Sequence, residues 1–250
     1  KRITVKNLNK EFRLSRKGGE TTLGRLLGMF SSTHNPKIKI ADDISFEAEA
    51  GENIGVIGLN GSGKSTLLRL IAEIYTSDSG LIKTEGTLVY LSGFGQGLQP
   101  LLSMRENIFL MGAMMGLSTS EIREKFDEIV AFSGLNEFVD AKTYQFSSGM
   151  LTRLNFSVMI FCVKHHNPDI LLLDEIFSGG ADIDFQARAI AKMEELIHSG
   201  ATVLLVSHHM ETVRRYCDRV MWLEKGKIVC IGDTNRTIDA YLQTRPKRAS

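Results

Sequence analysis

Residues 58–66 read GLNGSGKST and fit the spacing G-x-x-x-x-G-K-[ST], with Gly58, Gly63, Lys64 and Ser65 in place. Glycines at 58, 61 and 63 let the backbone curl until several N–H groups face one point. Together with the N-terminus of a following helix, those donors bind phosphate oxygens. Lys64 adds a mobile positive charge suited to β- and γ-phosphates, and Ser65 offers a hydroxyl to Mg²⁺. The expected nucleotide-binding set is Gly58, Asn60, Gly61, Ser62, Gly63, Lys64, Ser65 and Thr66. A second element, ILLLDE (170–175), is an apolar run closed by two acids. The run reads as a buried central strand. Side chains alternate along a strand, so Asp174 and Glu175 point different ways. One can hold Mg²⁺ through water while the other addresses a nucleophilic water. That division suits phosphoryl transfer, where positioning and charge neutralisation dominate.

ATVLLVSHH (201–209) reads as another buried strand, ending in Ser207, His208 and His209. Strand C-termini of a parallel sheet gather at the ligand crevice, which brings His208 within reach of a γ-phosphate. His209 heads the next helix and reads as a bystander. His165 and His166 are of metal-ligand type, but no companions lie nearby and a solvated loop is expected. QFSSGM (145–150) matches no common catalytic pattern.

These residues need elements to place them. Residues 1–14 alternate as a strand, 15–39 form a Gly/Ser/Thr-rich insertion with an apolar patch within 21–30, and 38–52 resume a strand. A helix is expected from about Lys64 to Glu73, with strands within 81–92. Residues 103–144 read as helical, two segments opening on Ser or Thr followed by an acid, a capping pattern. A helix follows from 151, then strand 170–174, helix 184–198, strand 201–206, helix 209–216 and a hairpin. Strands alternating with helices predict an α/β fold with a mostly parallel core sheet. An antiparallel β subdomain would lie at the N-terminus, with a helical lobe at about 95–165. Residues 243–250 form a basic tail.

The chain has 250 residues, and 43% hydrophobic with 24% charged residues is ordinary for a globular protein. A net charge of +1 argues against a nucleic-acid partner. Cys162, Cys217 and Cys230 are odd in number and lack CxxC spacing, which disfavours a disulfide framework or a zinc site. No stretch reads as a signal peptide, and no apolar run approaches the ~18–20 residues of a spanning helix. At a membrane, another chain must do the crossing.

The ordered set GLNGSGKST, FSSGM, ILLLDE and SH resembles the ATP-binding-cassette ATPases, whose second element usually reads L-S-G-G-Q. The variant S-S-G-M is similar to a narrower group, the ATPase subunits of bacterial exporters of O-antigen, capsular polysaccharide and teichoic acid. Residues 104–140, DFQARA after the acids and the 206–233 region resemble that group too. The resemblance covers essentially the whole chain and implies a P-loop NTPase core that hydrolyses ATP with Mg²⁺. It implies Glu175 as the carboxylate that polarises water, His208 as the histidine on the γ-phosphate, and Asp174 with Ser65 at Mg²⁺. Phe12 matches the aromatic that stacks on adenine; a strand-end core phenylalanine is the other reading. Asp182 is the match to the aspartate loop across a dimer, though EIFSGGADIDF has one residue more than usual. VYLSGFGQGLQP lacks a glutamine at the usual strand end, and Gln96, two residues late against Pro100, is the candidate left for that Mg²⁺ ligand. The apolar stretch 108–117 suits either a groove for the membrane subunit or a Met-rich core face.

Ser147, Ser148 and Gly149 then gain a meaning. Before a helix beginning near Leu151, their N–H groups and hydroxyls form an anion site like the P-loop's. A capping turn needs one serine; the excess, with Gly149, suggests close approach of a phosphate. One chain has one P-loop, so a second anion site serves ATP brought by another copy. Two-fold pairing would bury two ATP molecules, each between one P-loop and the partner's turn. The expectation is a homodimer at the cytoplasmic face of a bacterial inner membrane. There it would drive two copies of a membrane-spanning permease and move a lipid-linked glycan. A soluble cassette ATPase for DNA repair or translation lacks its usual coiled coil or tandem cassette here. A small-molecule kinase would leave the serine turn and His208 without a task.

Overall fold

The computed structural model describes residues 1–13, 37–92, 97–163, 168–175 and 183–244. Gln96, Asp182, His165, His166 and the 21–30 patch lie outside the described residues. Among these residues there are two sheets. Strands β1 (Ile3–Arg13), β2 (Lys37–Ala48) and β4 (Ser79–Thr84) form an antiparallel sheet in the order β2-β1-β4. Strands β3 (Asn53–Ile57), β5 (Leu88–Ser92), β6 (Ile170–Asp174), β7 (Thr202–Val206), β8 (Arg219–Glu224) and β9 (Lys227–Asp233) form the larger sheet. Its order is β5-β6-β7-β3-β8-β9, parallel except for the β8–β9 hairpin.

Every residue of β6 and β7 is buried, because layers cover both faces of the sheet centre. On one face Ile170 and Leu172 pack with Leu204, Val206 and Leu67 and Leu68 of α1 (Lys64–Ile71). On the other, Leu171 and Leu173 pack with Leu205 and the helices α5 (Ile183–Ile197), α6 (Met210–Tyr216) and α7 (Thr234–Gln243). Alternation thus works as expected, in a strand apolar throughout.

The helices α2 (Met104–Met114), α3 (Thr119–Ser133) and α4 (Ser148–Phe161) enclose a separate core of Met104, Ile108, Ile122, Ile129, Leu154 and Val158. Both α2 and α3 open on reciprocal capping boxes. Ser103 Oγ accepts from the Glu106 N–H at 3.2 Å while Glu106 Oε2 accepts from the Ser103 N–H at 2.6 Å. Ser118 and Glu121 repeat the arrangement. The stretch 108–117 contributes Ile108, Met111 and Leu117 to this core, while Met114 is 70% exposed. Phe109 and Met115 pack against this core partly buried, so the stretch is in part a core face. Phe132, Phe156, Phe161 and Phe185 join the helical layer to the main core, with ring centroids 5.4–6.1 Å apart.

Three expectations are corrected. Helix α4 starts at Ser148, not near Leu151, because Ser147 is itself the cap. Helix α1 ends at Ile71 rather than Glu73, which has left-handed φ of 57°. Helix α7, capped by Asp233, was not anticipated. No helix among the described residues is long and apolar enough to cross a membrane.

Candidate nucleotide site

The P-loop joins β3 to α1 at the C-terminal edge of the parallel strands, where open α/β sheets bind ligands. Two glycines are required by close approach. A Cβ at Gly58 would sit 2.2 Å from the Leu223 carbonyl oxygen, and one at Gly63 would sit 2.5 Å from that of Ile40. Gly63 also has φ of 106° directly before α1. Lys64 is 5% exposed and donates from Nζ to the Gly58 and Leu59 carbonyls, 3.0 Å each, so its charge is held across the loop.

A cleft of about 350 Å³ opens over this loop. Its lining comprises Ile40, Asn60, Gly61, Gly63, Lys64, Ser65, Thr66, Glu175 and His208. Segments separated by over 100 residues thus meet at one point. Asp174, on the last residue of β6, is 5% exposed and faces α1. Its Oδ1 accepts from Ser65 Oγ at 2.9 Å. Glu175 turns the other way with φ of 54°, and its Oε1 lies 2.8 Å from His208 Nε2. The two acids diverge as expected, but Glu175 lies past the end of β6 and is turned by its left-handed backbone rather than by strand alternation.

The residues fit a magnesium triphosphate. Asn60, Gly61, Gly63, Lys64, Ser65 and Thr66 line the cleft, while Gly58 and Ser62 lie outside the lining and Ser62 Oγ is buried beside Gly58 without a hydrogen-bond partner. A Cβ at Gly61 would meet nothing within 4 Å, so the loop is open on that side. Among the described residues no cluster of three or more His, Cys, Asp or Glu could hold a metal by itself. Ser65 and Asp174 supply two oxygens, which suits Mg²⁺, an ion that keeps waters and takes the rest from substrate phosphates.

Sequence reading missed Tyr90 and Arg69. Tyr90 on β5 donates its hydroxyl to Asp174 Oδ2 at 3.1 Å, and Arg69 Nε donates to that hydroxyl at 3.3 Å. Burial pushes the Tyr90 hydroxyl above its ordinary pKa, so it stays a donor at neutral pH. The available signal was the i, i+4 spacing of Ser65 and Arg69 on α1.

Phe12 is outside the cleft lining. It is half-buried on β1 with its ring edge-on to Tyr75 at 5.6 Å. Ser147, Ser148 and Gly149 do not line this cleft either. Ser147 Oγ accepts from the Met150 N–H at 3.2 Å, capping α4, and the exposed Ser148 uses its hydroxyl in no hydrogen bond among the described residues. His209 is exposed at the head of α6 and outside the lining.

The fold and cleft define a P-loop nucleotide-binding domain. The sequence model of the ABC transporter family matches residues 41–178, more than half of the chain. The chain belongs to the ABC transporter family. It is 41% identical, over 81% of its length and 80% of the relative's, to the O-antigen export system ATP-binding protein RfbB of Klebsiella pneumoniae. It is 40% identical to the teichoic acids export ATP-binding protein TagH of Lactococcus lactis, covering 96% of this chain and 50% of that protein. Among solved structures, a dimeric post-hydrolysis ATP-binding cassette bound to ADP and Pi has a TM-score of 0.68 at 22% identity, covering 93% of this chain and 98% of that one, a likeness of fold.

Proposed function

We propose that this chain is the ATP-hydrolysing subunit of an ABC transporter that exports a lipid-linked polysaccharide, O-antigen or similar, across the bacterial inner membrane. The observation that carries the hydrolysis is the convergence of Lys64, Ser65, Glu175 and His208 on one cleft. The P-loop N–H groups and Lys64 hold the phosphates. Mg²⁺, when bound through Ser65 and Asp174, neutralises charge on the phosphate oxygens. Glu175 orients the attacking water and accepts its proton; His208 donates to the γ-phosphate. The two side chains lie 2.8 Å apart, so base and donor face the same point of the cleft. Phe12 is assigned to the adenine, with Tyr75 as its support.

The Ser147–Gly149 turn lies outside the chain's own cleft lining, which supports its use on ATP held by a second copy. Two copies close on two ATP molecules and reopen after hydrolysis. Two permease subunits would transmit that motion at the cytoplasmic face. The export assignment rests on similarity to the O-antigen and teichoic acid export proteins.

Replacing the proposed base tests the reading. Glu175→Gln is expected to keep ATP affinity, slow turnover at least about 100-fold and accumulate an ATP-bound dimer on gel filtration. Turnover at the parent rate would remove Glu175 from its role.

A further inference from the structure

Both carboxylate oxygens of Asp174 accept side-chain hydrogen bonds. Oδ1 takes the Ser65 hydroxyl at 2.9 Å and Oδ2 takes the Tyr90 hydroxyl at 3.1 Å. The direction of the second bond is fixed by chemistry. Arg69 can only donate, an ionised carboxylate can only accept, and a tyrosine hydroxyl has one proton. Arg69 Nε occupies a lone pair of Tyr90 at 3.3 Å, so the Tyr90 proton must point to Asp174.

The fold explains how these groups meet. Parallel pairing sets Ser92 opposite Asp174 and Tyr90 opposite Leu172, so Tyr90 stands diagonal to Asp174 on the same face. A diagonal neighbour is within reach of a tyrosine and not of a short side chain. Arg69 lies one helical turn after Ser65, so α1 presents Ser65 to Asp174 and Arg69 to the Tyr90 hydroxyl. The guanidinium is steadied over the Tyr75 ring, 6.0 Å from its centroid.

We infer that Tyr90 and Arg69 are positioning residues that lock the Asp174 rotamer, leaving Oδ1 facing Ser65 for a divalent cation. The inference rests on the ATPase reading. Hydrogen bonds to a metal-ligating carboxylate tune affinity for the ion, and their removal costs roughly 10–100-fold. Only the hydroxyl is at issue, so Tyr90→Phe is the informative change; Arg69→Gln, which removes the charge, is the second variant.

The experiment titrates Mn²⁺, read by its free EPR signal, into protein with a non-hydrolysable ATP analogue. Analogue affinity in EDTA and thermal unfolding are measured alongside. Tyr90→Phe is expected to weaken Mn²⁺ binding about 10-fold, with metal-free analogue binding unchanged; Arg69→Gln moves the same way. A Mn²⁺ affinity within twofold of the parent in either folded variant overturns the inference. So does an equal loss of analogue binding in EDTA, which would make the pair a general support of the cleft. A parent that binds no nucleotide overturns the ATPase reading and this inference with it. A parent that binds normally beside an unmoved variant overturns this inference alone.

Discussion

Gly149→Asp separates the two readings of the serine–glycine turn because they predict opposite signs. Gly149 is the second residue of α4, after the Ser147 cap and Ser148. As a plain helix start, the site gains from the change. Replacing a helical glycine recovers about 0.5–1 kcal/mol, and a carboxylate in the first turn adds about 0.3–1 kcal/mol against the helix dipole. The monomer should therefore unfold a few degrees higher, since about 1 kcal/mol moves Tm by about 2–4 °C at this size. As a phosphate site in the dimer, it loses. A carboxylate about 4 Å from a phosphate charge costs about 4 kcal/mol at an effective dielectric of 20. That is nearly a thousandfold in association, and it applies at both sites of a two-fold pair. The assay is light scattering on gel-filtered protein with Mg·ATP, in a Glu175→Gln background, beside a thermal melt. Expected are a Tm equal to or above the parent's and no dimer. Ser147→Ala is the counterpart: it loses the bond to the Met150 N–H and about 1 kcal/mol, lowering Tm by about 2–4 °C. A Gly149→Asp protein that dimerises as the parent does would refute the phosphate account and leave a helix cap.

Two further outcomes follow from the helical lobe. Asn107 is fully buried and accepts from the Gln99 N–H at 2.7 Å, and its two amide protons are shared among the Gln99, Leu102 and Ser103 carbonyls and Thr143 Oγ1, 2.9–3.3 Å away. Asn107→Ala strands several of these and should cost about 3 kcal/mol, a drop of about 6–12 °C in a thermal melt; a shift under about 2 °C would mean water replaces the amide. Glu106 is held to a pKa of about 2 by the Ser103 N–H, the Ser103 hydroxyl and Lys142, against an ordinary 4.5. A lowered folded pKa stabilises above the unfolded value and loses that as pH falls. The Tm advantage of the parent over Glu106→Gln should be full above pH 4.5 and fade toward pH 2; an advantage independent of pH would assign it to packing.

What could be read in advance depended on whether the signal was local. The P-loop, β6 and β7 each carry their signal within nine residues, as glycine spacing or as an unbroken apolar run closed by polar groups. The capping boxes were legible for the same reason, serine and glutamate three apart. Helix α7 was missed because Thr234–Gln243 is mostly polar; only Ile238 and Tyr241 reach the core. The start of α4 was set too late because serine and glycine read as turn residues, yet the first turn tolerates them where a cap is present. Tyr90 was out of reach for another reason. Its bond to Asp174 spans 84 positions and exists only because β5 lies beside β6. Strand order is a tertiary fact, and no periodicity encodes it.

The placement of α4 bears on how the two anion sites communicate. Its N-terminal end carries the Ser147–Gly149 turn, while Leu154 and Val158 sit in the helical-lobe core. Phe156 and Ile160, on the same helix, belong to the main core with Leu171 and Leu205. One rigid element thus has its head at the turn and its body clamped between two cores. Phe132 of α3 stacks on Phe156 of α4, which ties the turn to the lobe, while both rings also contact Phe185 of α5, so any rotation of the lobe against the main core must break those two contacts. The turn should therefore move as one piece with the lobe. A phosphate captured at its head would then pull on residues 97–103, which Asn107 ties to the same lobe. Closure on ATP and displacement of that surface segment would be one motion.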